Sequence, residues 1–195
     1  MSTNKEKIEE FAKKYIYPLH MSYSLPDPVK YFNLDSINDD GYFEQLKYII
    51  LNGGDLLNLY DPSGQSHVYK VHRIIAVHDF GDVKAGQLGG FVTNYDNMDP
   101  VLSLDNTCWI YKDGAVFDNA KIYESAKVMD KAWVYGKARV SGYAIISHSA
   151  IICDEAIVCD EAIARDRAIV CGRTRINGNS VISNWAKNSR ICSNV

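Results

Sequence analysis

The sequence predicts a mainly β protein whose principal part is a parallel β-helix, and three observations over residues 108–186 support this fold class. First, an aliphatic residue recurs at every sixth position from Ile110 to Ile182. Second, the residue four places after it is small, and it is alanine in nine consecutive repeats from Ala120 to Ala168. Third, a turn former or a short polar residue follows most aliphatic positions by two places. A fixed period of six fits neither an α-helix nor a long alternating strand, but it is typical of a stacked solenoid.

Three repeats, or eighteen residues, form one three-sided coil of such a solenoid, so each residue stacks on the residue eighteen places later. Residues 85–195 therefore predict a hexapeptide-repeat β-helix of five to six coils. Val92, Met98 and Leu104 lie in phase with Ile110, which indicates that the register begins before the alanines. The turn-forming series is Asp118, Glu124, Asp130, Gly136, Gly142, His148, Asp154, Asp160, Asp166, Gly172, Gly178 and Asn184.

Two helices are predicted in the non-repetitive N-terminal region. The first spans about residues 4–16, begins with a Thr3–Glu6 capping box and ends before Pro18. The second begins after Asp39 or Asp40 and ends at the Asn-Gly-Gly sequence of residues 52–54. The apolar stripe of the second helix would consist of Phe43, Leu46 and Ile50.

A β-hairpin is predicted between these helices and the repeats. Leu56–Tyr60 and His67–Val77 are rich in aliphatic and aromatic residues, and they flank a good turn sequence at residues 61–64. Residues 79–82 form a second turn sequence. The predicted organisation is therefore a helical region at 1–55, a hairpin cap at 56–84 and a β-helix at 85–195.

The composition limits the classes of function. A hydrophobic fraction of 47% and a charged fraction of 23% are ordinary values for a globular protein. The net charge of −3 gives no general attraction to nucleic acid or to an anionic membrane, and no apolar stretch is long enough to span a bilayer. The five cysteines show no CxxC pair, and the chain shows no apolar signal segment. We therefore expect a cytoplasmic protein with reduced thiols.

The chain resembles a family of phage, prophage and bacterial proteins that includes the YdcK-like left-handed β-helix proteins. The resemblance rests on residues 71–74 (VHRI), on the turn and glycines of residues 79–92 (DFGDVKAGQLGGFV), and on Ala-x-Val repeats such as residues 132–140 (AWVYGKARV). It covers about residues 56–186 and implies a left-handed helix, which six-residue repeats also favour. Family members are often described as transferases by analogy with hexapeptide acyltransferases. The matched residues are glycines and core positions, so the resemblance implies a fold more than an activity.

One of the three outward faces of the coils is almost entirely apolar. The residues directly before and after each aliphatic residue point outward, because side chains alternate along a strand. We call the outward side chains at positions 115, 117, 133, 135, 151, 153, 169 and 171 the apolar face. So large a patch is unusual on a monomer, which predicts a dimer or trimer, or a host protein partner, covering it. The alternative is that outward isoleucines only reflect strand propensity. The predicted interface residues are Phe117, Trp133, Tyr135, Ile151, Cys153, Ile169 and Cys171.

Few residues of the repeats suggest chemistry. Hexapeptide acyltransferases place a histidine base near the thioester of acyl-CoA, and His148 is the only histidine in the repeats. A solvated turn residue is the alternative interpretation of His148, so no catalytic set is predicted beyond this one candidate. Cys153 and Cys171 should stack on one face as two reduced thiols, with too few neighbouring ligands for a metal. No metal and no cofactor are therefore predicted.

A basic patch is predicted on another outward face. Lys121, Arg139 and Arg175 line it, and Tyr123 could stack on a base. Aspartates at the corners dilute this positive charge, so nucleic acid is not a favoured partner.

Three functions are compatible with these features. The first is a non-catalytic, oligomeric β-helix binding protein of phage origin that acts in the host cytoplasm. It would engage or inhibit a host macromolecule, for example a bacterial defence system. The second is an acyl-CoA-dependent acyltransferase of the hexapeptide-repeat type. The third is a structural or assembly protein. The missing catalytic set and the non-repeating N-terminus together favour the first.

Overall fold

A computed structural model describes residues 4–18, 46–51, 55–60, 64–93, 101–103, 106–184 and 190–193 of the chain. The chain divides into two compact units. Unit one comprises Met1–Asp55 and His72–Leu88, and unit two comprises Leu56–Val71 and Gly89–Val195. The predicted division at residues 55 and 84 stays a prediction. No helix in the described residues is long and apolar enough to cross a membrane.

Unit one begins with a helix, as predicted. Helix α1 spans Asn4–Phe11 and continues into a π-helical turn at Ala12–Ile16. Apolar residues recur at helical spacing on one face, and this face is buried against a strand and the segments beside it. The buried core of unit one consists of Ile8, Phe11, Ala12, Ile16, Leu51, Ile75 and Val77.

The prediction of a second helix is wrong for residues 46–51, the part of this segment that the structure describes. Strand β1 spans Tyr48–Ile50 and pairs antiparallel with Ile74–Ala76. Aromatic and β-branched residues suit a strand, and the available edge of a neighbouring strand overrides a helical pattern of apolar residues. Residues 39–45, with the proposed caps and Phe43, lie outside the described residues.

The predicted hairpin is confirmed. Strand β2 spans Asp55–Tyr60 and pairs with β3, which spans Ser66–Ala76 and contributes to both units. The second predicted turn is confirmed as well, because Phe80 and Val83 form an antiparallel bridge across it.

Unit two contains a parallel β-solenoid of about four coils, which confirms the predicted fold class. Its left-handedness and the count of five to six coils stay predictions. The longer strands are β4 (Leu88–Val92), β14 (Ile163–Asp166), β15 (Ile169–Gly172), β17 (Val181–Asn184) and β18 (Arg190–Ser193). The two-residue strands are β5 (Trp109–Ile110), β6 (Ala115–Val116), β7 (Lys121–Ile122), β8 (Lys127–Val128), β9 (Trp133–Val134), β10 (Arg139–Val140), β11 (Ile145–Ile146), β12 (Ile151–Ile152), β13 (Ile157–Val158) and β16 (Arg175–Ile176).

The coils form three parallel sheets with the predicted stacking. One sheet contains β7, β10, β13 and β16, and a second contains β5, β8, β11, β14 and β17. The third contains β6, β9, β12, β15 and β18, with β4 at its start. Registers such as Val116 to Val134 and Ile152 to Val170 show the eighteen-residue step. The aliphatic residues from Ile110 to Val170 and the alanines from Ala120 to Ala168 are buried, which confirms the predicted core.

The start of the solenoid departs from the predicted phase. Val92 pairs with Val116, a step of 24 residues instead of eighteen. Leu102 forms the bridge to Ile122, two residues before the Leu104 that the six-residue phase predicts. The intervening chain is therefore longer than one coil requires, and a longer connection shifts the phase without breaking the ladder.

Every predicted turn residue from Asp118 to Gly178 lies at a corner with positive φ, between 57° and 72°. Glycine, aspartate and histidine tolerate this region better than branched residues do. Several corner carboxylates also accept a hydrogen bond from the backbone N–H of the corner one coil later. Such pairs join Asp118 to Gly136, Glu124 to Gly142, Asp130 to His148, Asp154 to Gly172 and Asp160 to Gly178. Each of these carboxylates therefore accepts a hydrogen bond from a backbone N–H that the hydrogen bonds between the strands do not use.

Candidate functional site

The apolar face is the candidate site, and the structure places its side chains in one cluster. Ala115, Phe117, Tyr135, Cys153 and Cys171 form a buried group outside the inner core of the coils. Partly buried residues that pack against this group are Leu57, Tyr69, Phe91, Trp133, Ile151 and Ile169. Leu57 and Tyr69 come from the hairpin of unit two, so the hairpin packs on the apolar face.

Aromatic rings make the contact between the hairpin and the coils. The Tyr69 ring on β3 lies 4.7 Å from the Phe117 ring, measured between centroids. The Phe117 ring in turn stacks on Tyr135 of the next coil at 5.2 Å, with an angle of 5° between the rings. The Tyr69 hydroxyl also lies 3.5 Å from Asp118 Oδ2 at the adjacent corner. Ring pairs at these distances add to the free energy gained by burying their area.

Only one side of the hairpin is covered, although both sides carry apolar residues. Leu57, His67 and Tyr69 are partly buried, whereas their neighbours Leu56 and Val68 are 72% and 62% exposed. Alternate residues of a strand point to opposite sides, so one side of the hairpin packs on the coils and the other faces solvent. The strands and turn of the hairpin are visible in the sequence, but the surface that the hairpin covers is not.

The predicted interface residues therefore fall into two groups. Phe117, Tyr135, Cys153 and Cys171 are buried within this single chain. Trp133, Ile151 and Ile169 are half-buried and stand in direct register on β9, β12 and β15. We call these three side chains the Trp-Ile-Ile column. The oligomer interface stays a prediction, and only the second group keeps exposed area to offer a partner.

The cysteines of this face depart from expectation. Cys171 on β15 lies directly opposite Cys192 on β18, with Cα atoms 4.6 Å apart, and the two form a disulfide. The expectation of reduced thiols is therefore wrong for Cys171. The sequence separation is 21 residues instead of eighteen, so Cys192 lies three residues outside the register that the repeat predicts. Cys153, one rung earlier, is buried.

A metal-ligand arrangement occurs beside this disulfide. A sulfur atom from Cys153, a sulfur atom from Cys171 and a carboxylate oxygen of Asp154 lie within 4.8 Å of one another. Because Cys171 is bonded to Cys192, its sulfur is not available as a thiolate ligand. Asp154 also accepts the N–H of Gly172 at 2.8 Å. The group therefore does not offer a complete ligand set in this state.

His148 occupies a corner position with φ of 58° and an exposed side chain. Its backbone N–H donates to Asp130 Oδ2 at 3.0 Å, and its Nδ1 lies 3.2 Å from the hydroxyl of the adjacent Ser147. Histidine is among the residues that tolerate positive φ. The positive φ of this corner is therefore sufficient to explain why a histidine occurs here. The catalytic role of His148 stays a prediction.

The three residues of the predicted basic patch lie in one column that an isoleucine interrupts. Lys121 on β7 pairs with Arg139 on β10, and Arg175 on β16 follows after an intervening Ile157. Arg139 and Arg175 are exposed. The Arg175 guanidinium donates to Cys159 Sγ at 3.3 Å, so part of this arginine lies along the coil surface. Two cations on adjacent rungs and a third two rungs away form a narrow stripe of positive charge.

Comparison with known proteins adds no assignment. A scan of the chain against protein-family models finds no matching family, and a search of curated proteins finds no similar sequence.

Proposed function

We propose that this protein is a non-catalytic β-helix binding protein that self-associates through the Trp-Ile-Ile column. We propose further that it is phage-derived and that it engages or inhibits a host macromolecule. The observation that carries the proposal is a row of half-buried apolar side chains beside a part of the same face that the chain already covers. The hairpin covers the aromatic residues Phe117 and Tyr135. Trp133, Ile151 and Ile169 keep exposed area.

The geometry of the column suits a protein contact. Trp133 pairs with Ile151, and Ile151 pairs with Ile169, so the three side chains form a ridge that runs across three parallel strands. Tryptophan is among the residues that contribute most to the free energy of binding at interfaces. A ridge on a ladder of backbone hydrogen bonds loses little conformational freedom on binding, which favours affinity.

The surrounding surface also suits recognition more than catalysis. The positive φ of the His148 corner and its backbone hydrogen bond do not depend on the imidazole, and the cationic column of Lys121, Arg139 and Arg175 contains no histidine or carboxylate. A charged stripe on one face and an apolar ridge on another would allow one face to join copies and another to orient a partner. These features support a scaffold that presents surfaces.

The oligomer is tested by replacing Ile151 with glutamate. A charge in the ridge is expected to convert an oligomer into monomers, measured by sedimentation or light scattering of the purified chain. The matched control is Ile163→Glu, because Ile163 is also half-buried and directly precedes an inward residue, but lies on β14 of another sheet. Loss of the oligomer in Ile151→Glu only would support the proposal. A monomeric wild-type chain, or equal effects of both changes, would contradict it.

Binding to a host macromolecule is tested with the same two variants. Chemical cross-linking in a bacterial host, followed by mass spectrometry, is expected to identify one specific partner for the wild type and the Ile163→Glu control. Purified partner must then bind the purified chain and lose its own activity. Addition of acetyl-CoA is the opposing experiment: acetyl transfer that disappears in His148→Ala would replace this proposal with the acyltransferase.

A further inference from the structure

The disulfide between Cys171 and Cys192 joins a buried residue to an exposed one. Cys171 lies on β15 and is 5% exposed, whereas Cys192 lies on β18 and is exposed. The two residues are direct partners in the register of these strands. Exchange between a thiol and a disulfide depends on which sulfur the thiolate can reach, so the two ends of this bond differ in reactivity.

We propose that Cys192 Sγ is a site of attack by small thiols, and that the disulfide is a clasp whose opening by a thiol reductant detaches strand β18. In the first step, a thiolate of the reductant attacks Cys192 Sγ and forms a mixed disulfide. The Cys171–Cys192 bond breaks, and Cys171 leaves as a thiolate that takes a proton from water. When the reductant is a dithiol, its second thiolate displaces Cys192 from the mixed disulfide. Two electrons then pass to the protein, and the dithiol is oxidised to a disulfide.

The surroundings of the bond determine which sulfur is attacked. A thiolate approaches a disulfide sulfur along the line of the bond that breaks, from the side opposite the leaving sulfur. For Cys171, that side is the rung that carries Cys153, which is 1% exposed. For Cys192, that side lies beyond β18, which is the last strand of its sheet in the described part of the chain. A thiol in solution therefore reaches Cys192 Sγ and does not reach Cys171 Sγ.

Strand β18 buries little apolar surface of its own. Its described side chains, at positions 191–193, are all exposed. Ile191 pairs with Val170 and continues the inward series, but Ile191 is 38% exposed whereas Val170 is 0% exposed. A strand at the end of a solenoid lacks the next coil, which covers the inward residues of an interior strand. Apolar burial therefore holds β18 in place more weakly than it holds β15.

Hydrogen bonds outside the ladder with β15 also hold β18. The backbone N–H of Arg173 donates to Ser193 Oγ, and the Ser193 N–H donates to Thr174 Oγ1, each at 2.9 Å. The Thr174 hydroxyl also lies 3.3 Å from the Ile191 carbonyl oxygen. Water competes for donors and acceptors at the surface, so each of these bonds adds little net stability. The disulfide joins residues 21 positions apart, and it therefore disfavours the detached strand by restricting the chain between them.

Opening of the clasp changes the end of the solenoid. Cys171 loses the strand that pairs with it, and Cys192 becomes a second accessible thiol. The edge of β15 then presents the backbone N–H and C=O groups that paired with β18, and an unpaired strand edge readily accepts another strand. The clasp acts within one chain and needs neither an oligomer nor a partner, so it stands apart from the proposed function.

Hydrogen exchange of the full chain with and without dithiothreitol tests the clasp. The protein is first oxidised with glutathione disulfide, and a linked pair of the tryptic peptides 168–173 and 191–195 verifies the bond. Dithiothreitol is expected to speed exchange of the Ser193 and Arg173 amides by about a hundredfold, the order of magnitude for opening a loop of this length. Nuclear magnetic resonance resolves the single amides. Strand β17 is the internal control, because it also ends its sheet but contains no cysteine, so its exchange should not change.

The site of attack is tested with glutathione, a monothiol. The oxidised protein is treated briefly, the reaction is stopped with excess N-ethylmaleimide, and the chain is digested with trypsin without reduction. Glutathione is expected on peptide 191–195, which contains Cys192, and the maleimide on peptide 168–173, which contains Cys171. Glutathione on peptide 168–173 instead would overturn the assignment of Cys192 as the attacked residue.

Two variants separate the bond from the other contacts of β18. In the double variant Cys171→Ser, Cys192→Ser, the Ser193 amide should exchange as fast as in the reduced wild type and should not respond to dithiothreitol. Cys159→Ser, which changes a buried cysteine on another sheet, should behave like the wild type. Circular dichroism checks that both variants fold. Equally slow exchange of Ser193 in the wild type before and after reduction would overturn the proposal, and so would the absence of a linked pair after oxidation.

Discussion

Gly142 meets two independent requirements of its corner. Its φ is +70°, a conformation that costs most residues with a side chain about 1–2 kcal/mol. A Cβ at this position would also lie 2.6 Å from the backbone oxygen of Asp160 in the next coil. Backbone atoms of a ladder cannot move away without loss of hydrogen bonds, so the second requirement adds to the first.

Gly142→Ala is therefore expected to lower the free energy of unfolding by more than Gly178→Ala. Gly178 has a φ of +60°, but a Cβ there would meet no atom within 4 Å among the described residues. Gly178→Ala should cost only the conformational term of about 1–2 kcal/mol. Urea unfolding of both variants provides the comparison. If both variants lost the same free energy of unfolding, the corner at Asp160 would have to move to make room for the added Cβ.

At the scale of the single element, the hairpin covers part of the apolar face for which the sequence predicts a partner. A two-stranded hairpin is marginal in water, and packing on a sheet stabilises it. Tyr69 on Phe117 provides this packing, and the coils gain cover for aromatic rings. Mutual cover of two apolar surfaces within one chain reduces the area left for an oligomer.

The turn after β3 is an element whose stability depends on pH. Asp79 accepts a hydrogen bond from Lys84 Nζ at 2.8 Å and from the Ala85 N–H at 2.9 Å. The lysine bond first, and the backbone bond second, hold the pKa of Asp79 below its ordinary value. A lowered pKa stabilises the fold fully above the pKa of the unfolded chain. This contribution is lost as the pH falls through the lower, folded value.

Lys84→Ala is expected to raise the pKa of Asp79 toward its ordinary value, because the larger of the two lowering interactions is removed. The Ala85 bond should keep part of the shift. A nuclear magnetic resonance titration of the Asp79 carboxyl carbon measures the change. Lys131→Ala, an exposed lysine at a corner of the coils, is the control that should leave the titration unchanged. A pKa that does not move in Lys84→Ala would contradict the assignment of Lys84 as the main cause.

At the scale of the whole molecule, the solenoid in unit two derives its stability from contacts between neighbouring coils. Val140→Asp puts a charge at a position with no exposed area. We expect a loss of more than about 4 kcal/mol, since a buried charge without a partner disrupts the coils on both sides. Thermal unfolding followed by circular dichroism measures this loss.

Arg139→Asp is the matched control, because it introduces the same residue one position earlier on the same strand. Arg139 is exposed, so this change should alter stability by no more than about 0.5 kcal/mol. If Val140→Asp melted like Arg139→Asp, the inward assignment of the aliphatic series would be wrong.

The repeat in the sequence determined the parallel β-solenoid, the buried aliphatic and alanine series, and the corners with positive φ. These features follow from local preference repeated at a fixed period, because each rung packs on a copy of itself. Val134 is buried for the same reason as Val116, and any one repeat predicts the next. The hairpin was also visible from its own strands and turn.

Only the tertiary structure decided features that join segments without a common period. Tyr48–Ile50 is a strand because Ile74–Ala76 offers it an edge. Phe117 is buried because Tyr69 packs on it, and Cys171 is bonded to Cys192 because three extra residues return the chain to the same column. Each depends on how far the chain travels between two points. A periodic pattern carries no information about that distance, and packing in three dimensions sets it.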